Sequence, residues 1–78
     1  MPTTAVHNLV EAGEIDEAWN VTEKMTDYYY RAKAALVIAC RTGDRQDFEN
    51  AMILASHIVD QECRRELEVA IISAASCV

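Results

Sequence analysis

The densest group of chemistry-bearing residues is "HIVDQEC", residues 57–63, which sets His57, Asp60 and Cys63 close together. A cysteine paired with a histidine can act as a nucleophile when the imidazole takes the thiol proton and a third group orients the ring. The same residues have a plainer reading. Asp60 stands where a helix should begin and suits an N-cap, and His57 falls on the surface of the helix before it. The two then flank a turn, and we expect no catalysis from them. Metal binding requires three or four ligands at fixed spacing, and the sequence contains no CxxC, no HExxH and no calcium loop. The only glycines, Gly13 and Gly43, both read as helix stops, so nothing is left to cradle a phosphate. The expectation is a non-enzymatic protein without cofactors.

The more unusual stretch is "KMTDYYYRAKAA", residues 24–35. Tyr28, Tyr29 and Tyr30 are consecutive in a chain whose only other aromatic residues are Trp19 and Phe48. Neighbouring residues on a helix are about 100° apart, so three in a row span about 200° and cannot all face one core. Tyr28 and Tyr29 align with apolar rows. Tyr30 shares its side with Ala34, Val37 and Arg41, and next to Arg31 it makes a pairing frequent in binding hot spots. Tyr29, Tyr30 and Arg31 are therefore candidate partner contacts. A second candidate patch comprises Glu14, Asp16 and Glu17, with Glu11 nearby. A helix dipole stabilises such acids in a first turn, and the same acids can face a basic partner. Trp19 is assigned to the core.

The elements that must position these residues read as helices throughout. The first starts near Thr3 or Thr4 as N-cap, carries Val6, Leu9 and Val10 inward, and stops at Gly13. The second runs from about Ile15 with Ala18, Trp19, Thr22 and Met25 on one side, and Lys24 near its end. Asp27 caps a third over about 28–41, with Tyr28, Ala32, Ala35 and Ala39 in one row and Tyr29, Leu36 and Cys40 beside it. Its alanines would let a neighbouring helix come close. Asp44 caps a fourth, with Phe48, Ala51, Met52, Ala55, Ile58 and Val59 as core face. Asp60 caps a fifth, with Leu67, Ala70, Ile71 and Ala74 inward and Cys63 and Cys77 extending the stripe.

Residues 15–39 align with residues 48–72 at an offset of 33 without a gap. Ala18 meets Ala51, Met25 meets Ile58, Asp27 meets Asp60, Arg31 meets Arg64 and Ile38 meets Ile71. Upstream, "EAGE" corresponds to "RTGD", with three extra residues in the second copy. In "EAGEIDEAWNVTEKM", Gly13 followed by Ala18 resembles the tetratricopeptide-like class of helical repeats. Two features depart from that class: Tyr30 stands about where its proline falls, and Leu9 replaces the expected aromatic. The resemblance implies a right-handed solenoid of helical hairpins and a general role in protein–protein binding. It carries over no specific peptide-binding residues.

Composition fits this reading. Apolar residues make up 51% of the 78-residue chain and charged residues 26%, with one proline. The net charge of −6 is uneven: residues 1–27 carry −5, residues 28–45 carry +3 and residues 46–78 carry −4. An acidic balance argues against direct nucleic-acid binding, which needs clustered Lys and Arg. No apolar run approaches the roughly 20 residues of a membrane span, and the N-terminus lacks the pattern of a signal peptide. Three widely spaced cysteines suit reduced thiols buried as small apolar groups, in a cytoplasmic protein. The final "EVAIISAASCV" is apolar with no helix behind it, a pattern that predicts self-association or a bound partner.

The expected fold is all-α: about five short antiparallel helices in one small solenoid-like repeat domain spanning residues 1–78. The expected function is binding to a protein partner with a basic surface. Size and acidity resemble the small stand-alone inhibitors of phages and mobile elements, including anti-CRISPR proteins. The alternative is a structural unit that forms homodimers through the C-terminal stripe.

Overall fold

The computed structural model describes residues 2–77, which form five helices: α1 (Pro2–Glu11), α2 (Ile15–Glu23), α3 (Tyr28–Thr42), α4 (Arg45–Ala55) and α5 (Gln61–Ser76). No strand occurs among the described residues. Three of the helices begin at aspartates. Asp27 accepts a hydrogen bond from the Tyr29 N–H at 2.9 Å, Asp44 from the Gln46 N–H at 2.9 Å, and Asp60 from the Cys63 N–H at 3.0 Å. Each satisfies a donor that the first helical turn leaves unpaired, a contribution of about 1 kcal/mol. The caps foreseen at Asp27, Asp44 and Asp60 are all present.

Helix ends follow the glycines. Gly13 (φ 81°) lets its own N–H reach the Val10 carbonyl at 3.0 Å while the Glu14 N–H reaches the Leu9 carbonyl at 2.8 Å. This paired closure needs a left-handed residue. A methyl group at Gly13 would touch nothing within 4 Å, so the backbone angle alone demands glycine. Gly43 (φ 67°) closes α3 with a 2.8 Å bond to the Ala39 carbonyl. The start of α1 differs from expectation. Thr3 and Thr4 lie inside the helix, which already begins at Pro2. A proline suits a first helical position because its missing N–H would be unpaired there anyway.

α3 touches each of the other four helices. Ala32, Ala35 and Ala39 pack with Phe48, Ala51 and Ala55 of α4, Ile58, and Leu67 and Ile71 of α5. Ala34 and Ile38, on its other side, pack with Val6 and Val10 of α1 and Ala18 of α2. α1 and α5 thus flank α3, while no Cα of α2 comes within 8 Å of one in α4. The half-buried Trp19 of α2 packs against both apolar clusters. Thr22 is the buried polar side chain, and its hydroxyl donates to the Ala18 carbonyl at 2.8 Å. The hydroxyl is therefore satisfied inside its own helix.

Some inward assignments are corrected. Val59 is 96% exposed although Ile58 is buried. The apolar stripe continues past Ala55 in sequence, but the helix ends there, and the turn sends adjacent side chains opposite ways. Cys40 and Cys77 are exposed and Cys63 is half-buried, so these thiols are not the buried apolar groups expected. Cys40 lies next to the buried Ala39 but on the open side of α3.

Because Ala35 is fully buried between helices, a larger side chain there must push them apart. Ala35→Leu should lower stability by about 1–3 kcal/mol in urea unfolding. Ala5→Leu, at an exposed position of α1, should stay within about 0.5 kcal/mol of the parent.

Candidate functional site

Two depressions meet near the start of α3. The first is a cleft of about 420 Å³ between the α2–α3 and α4–α5 junctions, lined by all three tyrosines with His57, Val59 and Cys63. Both capping aspartates, Asp27 and Asp60, also line it. Tyr28 stacks on His57 with ring centroids 5.0 Å apart and planes 19° from parallel. The His57 Nδ1 lies 2.9 Å from the Ile53 carbonyl. A carbonyl only accepts, so Nδ1 carries a hydrogen. Tyr29 and Tyr30 meet edge to face at 5.3 Å. Lys33 Nζ sits 5.4 Å from the Tyr29 ring centre, and Arg31 Cζ 5.8 Å from that of Tyr28.

The exposure of Tyr28 differs from the expected one. Tyr28 is the open one, at 38%, and Tyr29 and Tyr30 are half-buried. Tyr28 is the first residue of α3, where its ring stacks on His57 of the turn after α4 and Arg31 approaches it. Tyr30 sits one turn before Ala34, which is buried against α1 and α2, so its side of the helix is partly covered. Next to Tyr28, Val59 completes an exposed apolar and aromatic patch that the sequence did not single out.

His57, Asp60 and Cys63 do line one cleft, where Asp60 also serves as a helix cap. The Cys63 backbone N–H, followed by that of Glu62, draws the Asp60 carboxyl below the usual range against an opposing desolvation effect. The Cys63 thiol is pushed up, first by desolvation and then by the Asp60 charge. A raised thiol holds little thiolate, the form that attacks or binds metal. Among the described residues, no three His, Cys, Asp or Glu side chains are grouped to hold a metal ion.

The second depression is a groove of about 450 Å³ between α2 and α4, where these helices stand apart over α3. Trp19, Ile53 and Leu54 give it apolar walls, and Arg31 lines it together with Glu23 and Asp47. Arg31 forms no ion pair among the described residues, in which the sole pair is Arg45–Glu49 at 3.7 Å. Its Nε is buried and lacks a hydrogen-bond partner. A buried donor left unpaired costs about 1–3 kcal/mol.

Of the sequence-derived contact residues, Tyr29 and Tyr30 lie in the cleft and Arg31 in the groove. The Arg31–Tyr28 contact joins the two depressions. Glu14, Asp16 and Glu17 are exposed at the start of α2 and line neither. Glu14 occupies the cap position without a side-chain cap bond, and Asp16 and Glu17 occupy the first turn, where the dipole favours them. The roles of Val59, His57 and Trp19 escaped the sequence because each depends on where separate helices meet.

The depressed Asp60 carboxyl gives a test with a definite sign. A lowered folded pKa contributes stability that is present above the unfolded value and lost as pH falls through the folded value. Asp60→Asn keeps a capping oxygen but cannot titrate. Thermal unfolding of the parent should therefore lose more stability than Asp60→Asn as pH drops from about 5 towards 2. Parallel curves would show that the cap is not sensed as a charge.

In comparisons with known proteins, the chain matches no family model, no curated protein sequence and no solved structure.

Proposed function

We propose that this protein is a non-enzymatic protein-binding module that docks on a basic partner, as a small acidic inhibitor of a nucleic-acid-handling complex would. The observation that carries this reading is the exposed patch of Val59, Tyr28 and His57, bordered by the Asp27 and Asp60 carboxylates. Exposed apolar and aromatic side chains gathered at one place favour a macromolecular contact. The net charge of −6 supports long-range attraction to a basic surface.

The proposed architecture is a stack of helical hairpins of the tetratricopeptide-like kind. Three observations support it. α1, α3 and α5 are neighbours, with α2 and α4 beside them but apart from each other. The thinnest dimension, 17 Å, suits about two helix layers. Aspartates start α3 and α5 with similar backbones, Asp27 at ψ 116° and Asp60 at ψ 118°, although one accepts from the Tyr29 N–H and the other from the Cys63 N–H. Free thiols at Cys40, Cys63 and Cys77 fit a reducing, cytoplasmic setting. No helix is long and apolar enough to cross a membrane among the described residues.

Binding should weaken steeply as salt rises from about 50 to 300 mM, because exposed charges separated by more than about 10 Å become screened. In pull-downs from the native cell, Val59→Asp and Tyr28→Ala should lose the captured protein. Triple replacement of Glu14, Asp16 and Glu17 by lysine should slow capture through the lost long-range charge. Capture unchanged by salt and by all these variants would overturn the reading.

A second reading, a homodimer, is favoured by Val69 and Ile72 of α5, both more than half exposed. Light scattering across a dilution series should then show a dimer that Ile72→Glu dissociates. A monomer at every concentration would sink it.

A further inference from the structure

Arg31 and Arg64 stand at equivalent places, each four residues after a capping aspartate. Their backbones behave alike: the Arg31 N–H donates to the Asp27 carbonyl and the Arg64 N–H to the Asp60 carbonyl, both at 2.9 Å. Their side chains do not. Arg64 Nη1 donates to the main-chain carbonyl of Ile58 at 3.3 Å. The repeat offset makes Met25 the counterpart of Ile58, yet Arg31 makes no such bond. Its Nε is buried without an acceptor, and its guanidinium turns to the Tyr28 ring and the groove between α2 and α4. One copy of the junction has consumed its arginine internally, and the other has left it unspent at the floor of a groove.

We infer that this groove receives an extended apolar and basic segment of a partner protein, one main-chain carbonyl of which accepts from Arg31. The inference rests on the protein-binding reading and names the chemistry of the segment. Trp19, Ile53 and Leu54 give the groove its apolar walls. Glu23 and Asp47 bring two negative charges against the single positive charge of Arg31. Asp47 Oδ2 already accepts from the Thr42 hydroxyl at 2.6 Å, which leaves Oδ1 for an incoming cation. The net sign disfavours a carboxylate-rich ligand and favours lysine or arginine beside an apolar residue. A neutral carbonyl suits Arg31 because it ends the unpaired state without adding charge repulsion from the two acids, and it is the acceptor that Arg64 already uses. Pressed into the groove, it draws the guanidinium outward and gives its N–H groups an acceptor.

Trp19 is the only tryptophan and lies in the groove, so its emission reports occupancy directly. The probes are three short peptides with blocked ends: alternating leucine and lysine, alternating leucine and glutamate, and alternating glycine and lysine. The leucine–lysine peptide should shift Trp19 emission saturably and bind at least about tenfold more tightly than the other two. Arg31→Met should lose at least about tenfold in that affinity while unfolding at the same or higher temperature than the parent, because it removes an unpaired buried donor. Arg64→Met should lower the unfolding temperature and keep the peptide. Ile53→Lys, at a position already 57% exposed, should abolish binding without disturbing the fold. Equal binding of the three peptides, or binding unaffected by both Arg31→Met and Ile53→Lys, overturns the inference. If Val59→Asp removes partner capture while the leucine–lysine peptide leaves Trp19 unmoved, the groove inference falls and the protein-binding reading stands.

Discussion

The structure depends on the close approach of helices to both sides of α3, which its small side chains make possible. Ala32, Ala35 and Ala39 on one side and Ala34 on the other are fully buried, as are Ala51 and Ala55 of α4. Alanine lets backbones come close but contributes little apolar area, so larger residues at the edges must fill the space. Ile38, Phe48, Leu67 and Ile71 do so, and Trp19 reaches both apolar clusters. The two apolar clusters meet at α3, which contributes residues to both. A small domain has little stability to spare, so this seam matters more here than in a larger protein.

That constraint also shapes the surface. With both sides of α3 occupied by alanine packing, its aromatic residues collect at the N-terminal end, where neighbours thin out. Tyr28 meets the turn after α4, and Tyr29 and Tyr30 pack edge to face on one another. The two junctions come together at this end, each with its aspartate cap, and the cleft forms between them. The spread of α2 from α4 opens the adjoining groove. Helix–helix spacing, set in the core, thereby decides where the cleft and the groove lie.

Charge is arranged with the same economy. The basic run of residues 28–45 sits between two acidic segments, yet the described residues contain one ion pair, on the surface of α4. Seven of the thirteen acids stand at helix starts, as caps at Asp27, Asp44 and Asp60 and as first-turn residues at Asp16, Glu17, Asp47 and Glu62. Arg31 and Lys33 lie over tyrosine rings instead of pairing with carboxylates. Arg64 donates to the Ile58 carbonyl, whereas the Arg31 Nε is buried without an acceptor. A place where consistency between levels fails is where function is most readily sought.

By itself, the sequence determined the five helices and the starts of α3, α4 and α5, but not the start of α1 or the end of α4. Aspartate before an apolar periodic run makes a cap, and glycine after one makes a stop, because both act through backbone bonds within a few residues. The aspartate caps at Asp27 and Asp60 were legible for the same reason. Only the tertiary structure decided which side chains face solvent. Val59 and Ile58 are adjacent yet opposite in exposure, and Tyr28 is exposed although it aligns with an apolar row, while Tyr30 is half-buried. A helical period assigns a residue to a face of its own helix, but not the neighbour that covers that face or the turn that ends it. The cleft, the groove and the unpaired guanidinium arise between elements, from contacts distant in sequence, and so they could be seen only in the packed molecule.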